Sequence, residues 1–432
     1  MTPESEAPAG ADLLVTGIGQ LVDFGAGGAS EPPEIVEDAF VWIRGGRVAA
    51  RGYARDAPVE AGRAPRLDAG GGVVLPGLVD SHTHAVFGGT REHEFERRLA
   101  GATYQEIAAA GGGILWSVRD LRNRGEDELL DLAAPRLAEC ARWGVTTAEV
   151  KSGYGLTVED EVRTLRVARR LGADPGLPRV VPTFLGAHAL PMEFDGDRAG
   201  YIRLVVDEML PAVAEEGLAR FCDVFCDEGA FTLEESATIL ARAAELGLGL
   251  KIHADEFASL GGAGLAARLG AASADHLVAV DAAGIEALAG SRTVATLLPG
   301  TSFFLRLGRF APARRLVDAG ATVALATDFN PGSSMTQNLM LMAAFGCCLM
   351  GLTIDEALRA VTRGGALAVD REDLGSLAPG SAGDLALFDV HDYRQLVYHY
   401  GTSHGRATVR DGRVIWRDAG KADAPPCRSE SR

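Results

Sequence analysis

Leu75-Pro76-Gly77-Leu78-Val79-Asp80-Ser81-His82-Thr83-His84 is the stretch whose reading decides the fold. Apolar residues around a Pro-Gly pair run into two histidines one residue apart. A short apolar run that ends abruptly in polar residues reads as a buried strand delivering side chains to a mouth. Side chains alternate along an extended segment, so His82 and His84 share one face. Two imidazoles on one face can bind one metal ion, and neutral imidazole suits zinc and iron alike. On its own, His-x-His is more often a pair of surface or core histidines. The rest of the chain reverses that balance.

Downstream, buried-strand signals recur at Thr146–Val150, Arg179–Phe184, Phe221–Phe225, Leu248–Ile252, Ala271–Ala274, Arg292–Leu298 and Thr322–Ala326. Helical stretches rich in Ala, Leu, Arg and Glu lie between most of them, such as Glu159–Leu171 and Leu233–Leu246. With the His-x-His strand that makes eight, the count of a closed (β/α)8 barrel. The strands run into His82 and His84, Lys151 to Tyr154, His188, Asp227 and Glu228, His253 to Glu256, His276, and Asp328. Of nine histidines, five stand at these strand ends and His93 lies just beyond the first. A barrel of this kind places its chemistry at the C-terminal ends of its strands.

The two chain ends have another rhythm. Phe40–Ala49 reads as two short strands around Gly45-Gly46, and nearly the same pattern returns at Ala407–Trp416. A hairpin alone is marginal, so both need a sheet to join. The economical arrangement is one small β-sandwich built from residues 1–75 and 371–432, with the barrel, residues 76–370, inserted between them. Residues 1–12 and those from about Lys421 onward read as frayed or disordered.

At 432 residues the chain can bury a large core, and 47% hydrophobic with 23% charged residues is ordinary for a soluble globular protein. A net charge of −17 argues against nucleic acid or an anionic membrane surface as partner. No apolar run is long enough to span a bilayer, and the N-terminus is acidic where a signal peptide needs positive charge. The six cysteines include an adjacent pair, Cys347-Cys348, and Cys222-x-x-x-Cys226 lacks a second pair to complete a zinc site. They read as buried small hydrophobes in a reducing cytoplasm.

One ion bound by His82, His84, His253 and Asp328 would keep a further position for water. Such an ion lowers the pKa of that water to roughly 7. Asp328 could both ligate and accept the water proton. His276 is placed to polarise a carbonyl or hold the attacking water, and Glu256 to pass a proton to a ring nitrogen. The plainer readings are a satisfied buried histidine and a carboxylate that only orients a ligand.

These residues in this order resemble the amidohydrolase superfamily. Within it, six blocks resemble the imidazolonepropionase family: Val86–Arg91, Glu149–Gly155, Phe184–Ala189, His253–Phe257, Ser273–Leu277 and Thr327–Ser334. The resemblance covers nearly the whole chain apart from the extended N-terminus and the tail. It implies the inserted barrel, bound zinc or iron, and hydrolysis of 4-imidazolone-5-propanoate to N-formimidoyl-L-glutamate in histidine degradation. It implies metal ligation by His82, His84, His253 and Asp328, and substrate contacts from Arg91, Tyr154, His188, Glu256, Asn330, Gly332 and Ser333. A homodimer is the usual state of that family. An anionic substrate in so acidic a protein needs a local cation, and Arg91 offers a bidentate fork. Taken singly, Arg91 is a surface ion-pair residue, Tyr154 a core aromatic, and Asn330-Pro331-Gly332 a turn. Binuclear members of the superfamily bridge two ions with a modified lysine after the fourth strand. Here that strand ends near Cys226-Asp227-Glu228, which implies a single ion per chain; Lys151 reads as support for the Tyr154 loop or a local ion pair.

Two other functions fit the fold. A metal-dependent aminohydrolase deaminating a purine, pyrimidine or related ring shares the ligand set, so only the Arg91, Tyr154 and Asn330 blocks separate it. A binding scaffold that has lost catalysis should lack a ligand, and none is missing.

Overall fold

The computed structural model describes residues 10–25, 31–102, 106 and 110–420. The chain opens with β1 (Leu13–Asp23), β2 (Glu34–Arg44), β3 (Arg47–Tyr53), β4 (Arg66–Asp68) and β5 (Val73–Pro76). Eight strands follow: β6 (Leu78–Asp80), β7 (Val145–Lys151), β8 (Arg179–Ala187), β9 (Phe221–Cys226), β10 (Gly249–Ala254), β11 (Ser273–His276), β12 (Val294–Leu297) and β13 (Val323–Leu325). The chain returns with β14 (Leu385–Phe388), β15 (Gly405–Arg410) and β16 (Arg413–Arg417).

Strands β6 to β13 pair in sequence order, every pair parallel. Each lies within a few residues of a segment that the hydrophobic pattern predicts. β7 and β11 are buried at every position, as parallel strands covered on both faces must be. Just beyond the last strand and the first, Thr83 bridges Phe329, Asp328 N donates to His82 O at 3.0 Å, and His84 N donates to Phe329 O at 2.9 Å. These bonds close the ring and bring the His-x-His segment against Asp328.

The expected helices form over Val158–Ala173 and Leu233–Glu245. The second opens with a capping box, in which Thr232 and Glu235 satisfy each other's backbone N–H groups.

The terminal strands form one continuous mixed sheet, ordered β16-β15-β14-β5-β1-β2-β3 with β4 on β1. The hairpins turn at Gly45-Gly46 and Asp411-Gly412, and β14 pairs with β5 to join the two chain ends. Val41 and Ile43 of β2, Leu385 of β14 and Val409 of β15 share one buried cluster, so the sheet curls over its own core. Gly77 links this sheet to the barrel. A Cβ there would lie 2.2 Å from Thr146 Oγ1 and 2.9 Å from Asp384 Cβ, so no side chain fits. Arg179, at the start of β8, reaches Asp384 and Asp411 at 2.7 Å each and ties the barrel's floor to the sheet.

The expected frayed ends fall largely outside the described residues, as does Cys427. The other five cysteines are free thiols. Not all are buried, however: Cys348 is exposed and Cys347 half-buried, because their helix, Leu339–Met350, turns part of its apolar face to solvent. Among the described residues no helix is long and apolar enough to cross a membrane.

Candidate active site

The barrel's closing bonds set the geometry of the mouth. His82 Nε2 and His84 Nε2 each lie 3.5 Å from Asp328 Oδ1. Two donors about 2.1 Å from one ion at a tetrahedral angle stand about 3.4 Å apart, so this spacing fits a shared cation. His253 and His276 complete a second group with His82, their ligand atoms within 4.8 Å of one another. The rings of His82 and His253 are 4.5 Å apart.

The rings are oriented from below. His82 Nδ1 bonds Asp275 Oδ2 at 2.6 Å, which leaves Nε2 as the free nitrogen; that buried atom has no hydrogen-bond partner. His253 Nδ1 lies 3.0 Å from Asp223 Oδ2. A carboxylate on the far ring nitrogen is the usual companion of a metal-binding histidine. Burial pulls the pKa of His82, His84 and His276 well below the ordinary histidine range, so these rings are neutral and keep a lone pair. The orphaned Nε2 of His82, a facing carboxylate and neutral imidazoles together fit a divalent ion.

Asp328 is held in left-handed backbone, φ 51°, a conformation costing of order 1–3 kcal/mol for a residue other than glycine. Thr301 Oγ1 donates to its Oδ2 at 2.6 Å and the Asn330 amide to its carbonyl at 2.6 Å. Burial, first among the causes, pushes its carboxyl up to about 6. Asp255, just after β10, and His276, at the end of β11, also have positive φ, 52° and 76°.

The other expected contacts gather around this centre. The His188 ring stacks on His84 with centroids 5.2 Å apart, and Tyr154 lies 5.5 Å from His188. Burial and the neighbouring His253 pull His188 down to about 3. The Glu256 carboxyl is 3.6 Å from His276 Nδ1, and burial, then Asp328 and Asp227, push its pKa well up. Asp227 accepts bonds from the backbone N–H groups of Glu256, Phe257 and Ala258 and so fixes that loop. Asn330 Oδ1 accepts from Gly332 N and Ser333 N, and its amide donates to Ser333 Oγ. This side chain is engaged in shaping the turn. Arg91 gives Nε and Nη2 to Glu94 Oε2 at 3.0 and 2.7 Å. Its Nη1 lies against the turn, 2.3 Å from where a Cβ on Gly332 would stand.

Of the two readings of Lys151, the local ion pair is the one observed: its ammonium lies 2.9 Å from Glu149, and it also reaches Asp223 at 2.7 Å across the barrel. Burial alone would lower its pKa, but Asp223, Glu149 and Asp275 more than offset that and hold it charged. Lys251 bonds Glu149 and the Ser81 carbonyl. Sequence reading missed Asp223, Asp275, Glu149, Lys251 and Thr301. A period-two signal was present for some of them: Glu149 with Lys151, and Lys251 with His253, put charge on one face of apolar strands.

Residues 113–416 match the Amidohydrolase family. An imidazolonepropionase of Myxococcus xanthus is 48% identical over 381 residues, covering 88% of this chain and 90% of that protein. The chain belongs to the imidazolonepropionases of the amidohydrolase family. A Geobacillus imidazolonepropionase is 47% identical over 386 residues, 88% of this chain and 91% of its own. The Bacillus velezensis one is 42% identical over 419 residues, 95% and 98% respectively. Among solved structures, a variant of the atrazine chlorohydrolase of Arthrobacter aurescens, complexed with zinc and atraton, superposes with a TM-score of 0.71. It is 22% identical, with 93% of this chain and 94% of that one covered. A guanine deaminase of C. acetobutylicum superposes at 0.68 with 14% identity, covering 94% and 100%. At such identities the likeness is one of fold. Imidazolonepropionase relatives, at two to three times that identity, carry the family.

Proposed function

We propose that this enzyme hydrolyses 4-imidazolone-5-propanoate to N-formimidoyl-L-glutamate. The observation that carries the reading is Arg91. It is a nearly buried guanidinium in an acidic protein, with one edge fixed by Glu94 and the Nη1 end left beside the turn that follows Asp328. A substrate with a carboxylate at one end and a cyclic amide at the other spans such an arrangement. A carboxylate-free purine or pyrimidine has no use for the cation.

One zinc or iron ion, held by His82, His84, His253 and Asp328, supplies an acidified water and a Lewis acid. Asp328 Oδ1 faces both His82 and His84 and accepts the proton of the attacking water. Neutral His276 holds the amide carbonyl. Glu256, whose pKa burial raises well above the ordinary carboxyl range, gives its proton to the ring nitrogen as the C–N bond breaks. Water's oxygen ends in the new carboxylate. Tyr154 and His188 wall the ring, and Gly332 and Ser333 contact the substrate beside Arg91. The free thiols support a cytoplasmic setting, and the exposed Phe303 and Leu349 support a homodimer. Residues 1–75 and 371–432 serve as the supporting unit of the barrel, 76–370.

Kinetics on a substrate pair test this. A lost charge-assisted bond is worth roughly 1.5–3 kcal/mol, so Arg91→Met should lower kcat/KM about tenfold to more than a hundredfold on the natural substrate. On an imidazolone lacking the carboxylate, wild type should already be slow and Arg91→Met little slower. Equal harm to both substrates would place Arg91 outside the substrate site.

A further inference from the structure

Beneath the histidines lie charged side chains that the reaction does not use. Of the chain's 42 lysines and arginines only Lys151, Lys251 and Lys421 are lysines. Lys421 lies outside the described residues; the other two are fully buried inside the barrel. A chain that otherwise supplies its cations as arginine keeps lysine at these two interior positions. The two side chains are not interchangeable there. An ammonium directs three donors from one compact atom, whereas a guanidinium is a planar fork.

Lys151 Nζ stands 2.7 Å from Asp223 Oδ2, 2.9 Å from Glu149 Oε2 and 3.6 Å from Asp275 Oδ2. Asp223 and Asp275 sit on β9 and β11, the strands flanking β10. Their same two oxygens lie 3.0 and 2.6 Å from the Nδ1 atoms of His253 and His82. One ammonium thus lies beside both carboxylates that stand against the Nδ1 atoms of these rings. Lys251 reaches Glu149 and the Ser81 carbonyl and contacts neither ring's partner oxygen.

We propose that Lys151 is a positioning residue for the metal centre, its ammonium fixing Asp223 and Asp275 so that His253 and His82 present Nε2 to one ion. The proposal rests on the reading of His82 and His253 as ligands.

Zinc affinity, measured on metal-stripped full-length enzyme by competition with a chelator, gives a readout apart from turnover. Removing a group that orients a ligand histidine typically weakens metal binding 10–100-fold, which is the loss expected for Lys151→Met. The absorption bands of the cobalt-loaded variant should shift with the changed ligand geometry. Lys251→Met removes an equally buried ammonium that bonds the Ser81 carbonyl and is a charged neighbour of Asp275 but forms no ion pair with Asp223, and it should cost clearly less zinc affinity than Lys151→Met, even where it lowers Tm. Should Lys151→Met not fold, the comparison of Asp223→Asn with the Asp223→Asn, Lys151→Met pair carries the test. Because Lys151 acts first through Asp223, the added substitution should weaken zinc binding little further. Wild-type affinity in Lys151→Met, an equal loss in Lys251→Met, or a full additional loss in the pair overturns the proposal. His253→Ala tests the ligand reading beneath it. Unchanged affinity there would remove that reading and the proposal together, whereas lost affinity beside an unaffected Lys151→Met removes the proposal alone.

Discussion

Asp328 serves both the closure of the barrel and the proposed chemistry. Its backbone closes the barrel, its Oδ1 faces two histidines, and its Oδ2 is held by Thr301. Asp328→Asn keeps the shape while weakening both the proposed ligation and the proposed proton acceptance. Turnover should fall about a hundredfold to ten-thousandfold, the range of a lost general base. Circular dichroism and Tm should report an intact fold, since the backbone bonds to His82 and Asn330 remain. Near-normal turnover would remove Asp328 from the chemistry. At this scale the sequence shows the groups that stand at strand ends, because a strand's termination is marked by the change from apolar to polar residues. It conceals what reaches those groups from elsewhere. Thr301 meets Asp328 from the short helix Pro299–Phe304, and nothing in its neighbourhood distinguishes it from any buried threonine.

Among elements, all eight barrel strands were legible, because most are short apolar-rich runs between helical stretches, even though β7 carries Glu149 and Lys151 and β11 reads Ser-Ala-Asp-His. The hairpins at the two ends were legible from their turn glycines. That their sheet is one continuous surface was not, since the β5–β14 pairing joins segments more than three hundred residues apart. The junction between sheet and barrel hangs on Gly77, whose missing side chain lets Thr146 and Asp384 close in. Threonine is short and branched and cannot swing away. Gly77→Ala should therefore cost about 1–3 kcal/mol, typical of overpacking, and lower Tm in thermal unfolding followed by circular dichroism. An unchanged Tm would show that β5 and β6 shift apart freely.

Across the molecule, the terminal sheet and the barrel floor are stapled by Arg179, while the mouth is assembled from groups as far apart in sequence as His82 and Asp328. The internal array of Lys151, Asp223, Glu149 and Lys251 was illegible for the same reason: its contacts cross the barrel between strands separated by 72 to 102 residues. Alternation could mark those side chains as inward-facing but not name their partners. The proposed chemistry is one ion activating water for one cyclic amide. Opening of 4-imidazolone-5-propanoate to N-formimidoyl-L-glutamate, followed by loss of the ring's absorbance during a metal titration of stripped enzyme, tests that most directly. Turnover should be absent after chelation and rise linearly to a plateau at about one zinc or iron ion per chain. Undiminished turnover in stripped enzyme, a plateau only at two ions, or no ring opening by the fully loaded enzyme would contradict it.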